Sequence, residues 1–312
     1  MNFKKTDDLS KEILNEDPSK LLVKYNLTNR GNLLYHYIDY DCSSIEKITT
    51  YYEKIYNEKE IIVDNKKIKE LPFLPNVEIL DCQNNQLTKL PDGMSSLEVL
   101  KCGNNQLTKL PDGMISLIKL GCFHNQLSRL PNDMTSLKIL GCRNNQLTSL
   151  PANMNSLVEL YCNENRLTKL PDGMTSLEVI KCGNNQLTEL PSGLSSLKHL
   201  YCDYNQITRL PDETTFLEVL YCINNQLTEL PSGLTSLKRL FCGNNQLTRL
   251  PEDTTFLEVL YCQNNKITSL PSGLTSLKQL YCKNNQLTIL PDYIKNKKDI
   301  IIVRWNNNPG NL

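Results

Sequence analysis

Eleven of the twelve cysteines fall at a fixed interval of twenty residues, from Cys82 to Cys282. Thiols in such a row could pair as disulfides, hold a metal or attack a substrate, and each chemistry needs its own geometry. A zinc site needs four ligands converging on one point, which a straight row does not supply. A nucleophilic thiol needs an exposed, electropositive setting. Neighbouring cysteines on in-register parallel strands would lie ~4.8 Å apart. Disulfides tolerate that Cα separation, but parallel strands aim the side chains side by side rather than at each other. The row therefore reads as small buried hydrophobes in a reducing compartment. Cys42 is the one cysteine outside it, and nothing nearby supports it as a nucleophile. His36, His124 and His199 fall in unrelated contexts, none with a nucleophile or carboxylate at a telling spacing. The glycines belong to turns or stand in for side chains on a strand, so no phosphate-cradling loop forms. These residues argue against an enzyme and imply no cofactor and no metal.

A second set of residues points to contact rather than catalysis. At one phase of the repeat the chain reads Asp81, Lys101, Gly121, Gly141, Tyr161, Lys181, Tyr201, Tyr221, Phe241, Tyr261 and Tyr281. Placed on an exposed strand face, Tyr161, Tyr201, Tyr221, Phe241, Tyr261 and Tyr281 form an aromatic stripe, flanked by His199, Arg239 and Gln279 on one side and Asp203, Ile223 and Lys283 on the other. Aromatic rows of this kind anchor protein interfaces, because they offer large contact area for little lost entropy. They also stabilise neighbouring strands by stacking, at ~0.2–1 kcal/mol per pair. The two readings are compatible. A further phase alternates Glu178, Lys198, Glu218, Lys238, Glu258 and Lys278, a charge ladder that fixes register.

The element that must position these residues is a twenty-residue unit, shown by Leu97 to Ser116. Such a period marks a solenoid, in which each unit contacts only its neighbours. Leu100 and Cys102 on either side of Lys101 have the alternation of a short strand. Stacking then yields one parallel sheet with leucine and cysteine inward and the intervening residues on the concave face. Asn105 ends the strand, and its amide can serve the backbone of the turn and of the next unit. Leu107 and Leu110 bring the chain back to the core. Pro111 forbids a helix interior, and Asp112-Gly113 continues the turn. Too few residues remain for a helix, so the convex side is expected to be mostly extended. Residues 197–236 and 237–276 resemble each other closely, which points to duplication of a two-rung unit.

The spacing Leu97-x-x-Leu100-x-Cys102-x-x-Asn105-x-Leu107 resembles the leucine-rich repeat, with cysteine in the third apolar position. The added Leu110-Pro111 in a twenty-residue unit is similar to the short leucine-proline subtype of bacterial effectors. The Asn-Asn-Gln-Leu-Thr wording resembles repeat proteins encoded by giant DNA viruses of amoebae. This resemblance implies an α/β-type repeat solenoid; the aromatic row is what points to a non-catalytic scaffold that binds a protein partner on its concave face. Some effectors of the subtype carry a ubiquitin-ligase domain after the repeats; only about twenty residues follow Pro291 here, so that activity is not carried over.

The flanks differ from the array. In residues 1–60, Asp17-Pro18-Ser19 and the capping box Ser43…Glu46 predict two or three short helices. They would form a cap, or an adaptor module that recruits a second complex such as ubiquitin-type machinery while the repeats bind the target. Residues 61–291 hold one degenerate rung, with Lys66 at the asparagine position, and eleven regular rungs. Residues 292–312 form a C-terminal cap, with Ile300 to Asn306 as a last strand and Trp305 over the core. Lysine plus arginine equals aspartate plus glutamate at 34 each, which argues against a general nucleic-acid or acidic-membrane binder. No run approaches a membrane span, and the start lacks a secretory signal, so a cytoplasmic protein is expected.

Overall fold

The computed structural model describes residues 58–296 and 302–310. The expected N-terminal helices, with His36 and Cys42, lie outside the described residues. The chain forms two compact units that divide between Ser136 and Leu137.

The first unit carries a parallel sheet of β1 (Glu60–Ile62), β2 (Ile79–Asp81), β3 (Val99–Lys101) and β4 (Lys119–Gly121), paired in chain order. The second carries β5 (Ile139–Gly141), β6 (Glu159–Tyr161), β7 (Val179–Lys181), β8 (His199–Tyr201) and β9 (Val219–Tyr221). It continues with β10 (Arg239–Phe241), β11 (Val259–Tyr261), β12 (Gln279–Tyr281) and β13 (Ile302–Arg304), all parallel and again in chain order. Regular rungs pair like with like, as Leu240 with Leu260. The ends depart from this step: Ile61 pairs with Leu80, and Leu280 with Val303.

Alternation explains the strands. Leu100 and Cys102 are fully buried while Lys101 between them is half-exposed. Leucine, or in a few rungs isoleucine or valine, closes the core at four phases of each regular rung, for example Leu97, Leu100, Leu107 and Leu110. Each such burial contributes about 1.5–3 kcal/mol before chain entropy is counted. Between the strands of β1–β12 the return segments are bends and turns, as the proline in each rung requires. Gly113 sits at φ 85°, a conformation open to glycine and strained for other residues.

The polar groups freed by these tight turns are met by asparagine. Asn105 donates from Nδ2 to the Cys82 carbonyl (2.9 Å) and the Cys102 carbonyl (3.1 Å), and its Oδ1 accepts the Leu87 N–H (2.9 Å). Within each unit an asparagine thus completes the rung before its own. The degenerate first rung has Lys66 in place of the ladder asparagine, yet it is served in the same way: Asn85 Oδ1 accepts the N–H groups of Lys66 (3.0 Å) and Ile68 (2.9 Å).

In two alternate rungs the methionine-leucine phase is Thr214 or Thr254, each 1% exposed. Their hydroxyls donate to the Pro211 and Pro251 carbonyls at 2.8 and 2.9 Å, so no buried donor is left open. After Pro291 the chain makes a single helical turn, α1 (Asp292–Lys295), with Asp292 at its start and Lys295 at its end. Ile294 is buried at the phase held by leucine in earlier rungs. Trp305 is 4% exposed, and its indole N–H donates to the Gly310 carbonyl at 3.1 Å.

Candidate functional site

The strand spacing that builds the sheet also sets the distance between outward side chains. At ~4.8 Å it is close to the separation of stacked aromatic rings. In the second unit the outward residue of each strand from β8 to β12 is aromatic, and the rings stack face to face. Centroid separations are 4.9 Å for Tyr201–Tyr221, 4.0 Å for Tyr221–Phe241, 4.8 Å for Phe241–Tyr261 and 4.1 Å for Tyr261–Tyr281. Interplanar angles of 14–29° make this one continuous pile. Tyr161 joins it through a cation. Lys181 Nζ stands 5.4 Å from the Tyr161 ring and 5.0 Å from the Tyr201 ring. Beyond Tyr281 the register brings Arg304.

Stacking changes what the row offers. All six aromatics are half-buried, and the inner rings have both faces against neighbours. What remains outward is a line of ring edges and phenol hydroxyls, interrupted by Phe241. Tyr161 donates to Glu159 Oε2 at 2.7 Å. Burial, then that hydrogen bond, pushes its hydroxyl up to about 12. Burial also raises Tyr221 and Tyr261 above the ordinary tyrosine value. At neutral pH these hydroxyls are neutral donors and acceptors.

The flanking residues fall on the same face. His199 and Arg239 open β8 and β10, two residues before an outward ring, with His199 half-buried and Arg239 exposed. The charge alternation resolves into separate pairs: Lys198–Glu178 at 2.9 Å, Lys238–Glu218 at 2.8 Å and Lys278–Glu258 at 2.9 Å. All are exposed, so each contributes little to stability. Sequence reasoning did not single out Lys181 as the link between two rings, nor Arg304 as the end of the row. The first was readable from its place in the series; the second was hidden by the irregular last step.

A further exposed row follows the strands. The residue before each ladder asparagine is left-handed, with φ between 51° and 58° from rung to rung, and is usually asparagine, which tolerates that conformation. Amides link along it, with Asn284 donating to Asn264 and Asn307 to Asn284. Tyr204 interrupts it, at φ 54° and 55% exposed.

The cysteines make no site. All eleven in the described residues are buried, and none is in a disulfide. Burial raises ten of these thiols, Cys122 and Cys242 to about 12, so those remain protonated and unreactive. Among the described residues no group of histidine, cysteine, aspartate or glutamate is arranged to hold a metal, and no helix is long and apolar enough to cross a membrane.

A leucine-rich-repeat family model of two copies matches residues 75–113, 215–253 and 255–295. No curated protein matches the sequence significantly. Among solved structures, YopM of Yersinia enterocolitica is 32% identical with a TM-score of 0.72, over 88% of this chain and 62% of that one. The functional domain of InlJ of Listeria monocytogenes, which includes a cysteine ladder, is 27% identical with a TM-score of 0.70, over 82% of this chain and 64% of that one. A leucine-rich-repeat protein of Leptospira interrogans is 26% identical with a TM-score of 0.69, over 84% of this chain and 81% of that one. The twenty-residue strand period, the asparagine wiring and these matches agree: the chain carries leucine-rich repeats, stacked as the rungs described above.

Proposed function

We propose that the chain is a non-catalytic scaffold that binds a protein partner on the sheet face of its second unit, along the row from Tyr161 to Tyr281 with His199 and Arg239 at its flank. The observation that carries this reading is the continuous ring row, with the polar and charged side chains of His199, Arg239 and Lys283 beside it. Stacking holds the rings rigid in advance, so a partner would lose little further side-chain freedom on contact. The fold supports the reading as well, since a solenoid face is an extended surface suited to another chain. Eleven buried cysteines with no disulfide among them favour a reducing, intracellular compartment.

The test is a paired pull-down from cell lysate, read by mass spectrometry. One bait is the unaltered chain and the other carries Tyr201→Ser, Tyr221→Ser and Tyr261→Ser, with circular dichroism showing that it is folded. A protein recovered only with the unaltered bait supports the ring row as the contact surface. Identical recovery with both baits removes it.

A further inference from the structure

The zero formal net charge conceals a polarity along the sheet face of the second unit. On the outward positions of β6 to β8 and the loop after β8 both signs occur, as Glu159, Lys181 and Asp203. From β10 onward the pattern changes. Arg239, Lys283 and Arg304 are exposed, and among the described residues none of them forms an ion pair. The acids beside that stretch, Glu218 and Glu258, are taken by Lys238 and Lys278.

The three cations are arranged about the rings. Arg239 precedes Phe241 by two residues and Lys283 follows Tyr281 by two, so both share the face of the rings and lie on opposite sides of the row. Arg304 ends the row, in register with Tyr281. From Phe241 to Arg304 there are three strand steps, about 14 Å, the reach of four or five extended residues. Between the flanking cations run the hydroxyl edges of Tyr261 and Tyr281, which can donate to and accept from a peptide backbone.

We propose that the C-terminal rungs accept an extended acidic protein segment, its backbone along Tyr261 and Tyr281 and its carboxylates against Arg239, Lys283 and Arg304. This inference rests on the interaction reading above and adds the chemistry of the partner. Charge complementarity of this kind selects partners and speeds encounter. Single-stranded nucleic acid fits less well: it binds by stacking bases on open ring faces, and here the inner faces already lie against one another.

The experiment is fluorescence anisotropy on the full chain with three fluorescein-labelled probes: a peptide of alternating Glu and Ala, a peptide of alternating Lys and Ala, and a short oligouridylate. The acidic peptide is expected to bind saturably and the basic one not at all. Replacing Arg239, Lys283 and Arg304 together by serine should weaken the acidic peptide roughly tenfold or more. Lys198→Ser, outside the cluster, should leave it unchanged. No saturable binding of the acidic peptide, or equal binding to the triple variant, overturns the proposal. Oligouridylate binding as tightly, and lost in the same variant, overturns the assignment to protein. If the acidic peptide fails while the ring variant still loses a captured protein, the acidic chemistry falls and the scaffold reading stands; failure of both removes both.

Discussion

The side-chain amide of Asn308 donates to the Cys282 carbonyl at 2.9 Å while its oxygen accepts the Leu287 N–H at 3.1 Å. That is the work of a repeat asparagine, done from outside the repeat. The last regular rung, whose own Asn285 completes the rung before it, is closed by a residue off the twenty-residue step.

Inner and terminal members of this series should therefore respond differently. Asn225 is buried, accepts the Ile207 N–H at 3.0 Å and donates to the Cys202 and Cys222 carbonyls at 3.0 and 3.2 Å. Asn225→Ala leaves those groups unpaired, at about 1–3 kcal/mol each. A loss of several kcal/mol in denaturant unfolding is expected. Asn308→Ala should instead speed amide exchange at Leu287 and in β13 with little change in the global midpoint. Equal global losses for the two would contradict the end-specific role.

Alkaline conditions should weaken the fold through the cysteines. Burial raises the thiols from an ordinary value near 9, to about 12 for Cys122 and Cys242. The unfolded chain then gives up these protons at lower pH than the folded one. Their contribution is complete below pH ~9 and is lost as pH climbs from there toward the folded value, up to about 1.4 kcal/mol per thiol per pH unit. Urea midpoints measured from pH 8 to 10.5 should fall, and fall less in a variant with alanine at Cys122 and Cys242. A flat profile would show that the thiols are not what titrates.

Gly103 is buried because Phe123 lies over it: a Cβ there would stand 2.5 Å from the ring. Gly103→Ala should cost about 1–3 kcal/mol by overpacking. In a Phe123→Ala background the same change should cost much less, and the difference between the two backgrounds, read by thermal or urea unfolding, isolates the contact.

Tyr204 holds a left-handed backbone that asparagine adopts more readily. Tyr204→Asn should raise stability by about 1 kcal/mol and join the amide row between Asn184 and Asn224. Because Tyr204 lies outside the ring pile, the variant should retain the ring-dependent capture of any partner. Loss of capture would move the contact surface onto Tyr204.

Much of this could be read before any coordinates. Leu100, Cys102 and Asn105 disclose strand, core and turn because their spacing is physical: alternation for the strand, a short amide where the chain bends. Ile300 to Asn306 is readable as a strand, and Ile302–Arg304 pairs with β12. Its register is not readable. Asn306, Asn307 and Asn308 run consecutively, and it is Asn308, donating to the Cys282 and Trp305 carbonyls, that serves as the capping amide. The ring row is visible as a series of residue types. That its faces are turned on one another depends on side-chain rotamers, which no spacing encodes, and that detail changes the contact surface from flat rings to hydroxyl edges.

The asparagine wiring also gives assembly a direction. Since the amide of each rung fills the open groups of the rung before it, a rung emerging from the ribosome stays unfinished until the following one has been made. Order therefore trails synthesis by one unit along each series. Insertion or deletion of a whole rung leaves every such dependency intact, because the newcomer meets the same request from its predecessor and places the same one on its successor. The repeats can lengthen or shorten by duplication with no new invention at the join, and only the final rung needs a residue of its own, Asn308, to bring the series to a close.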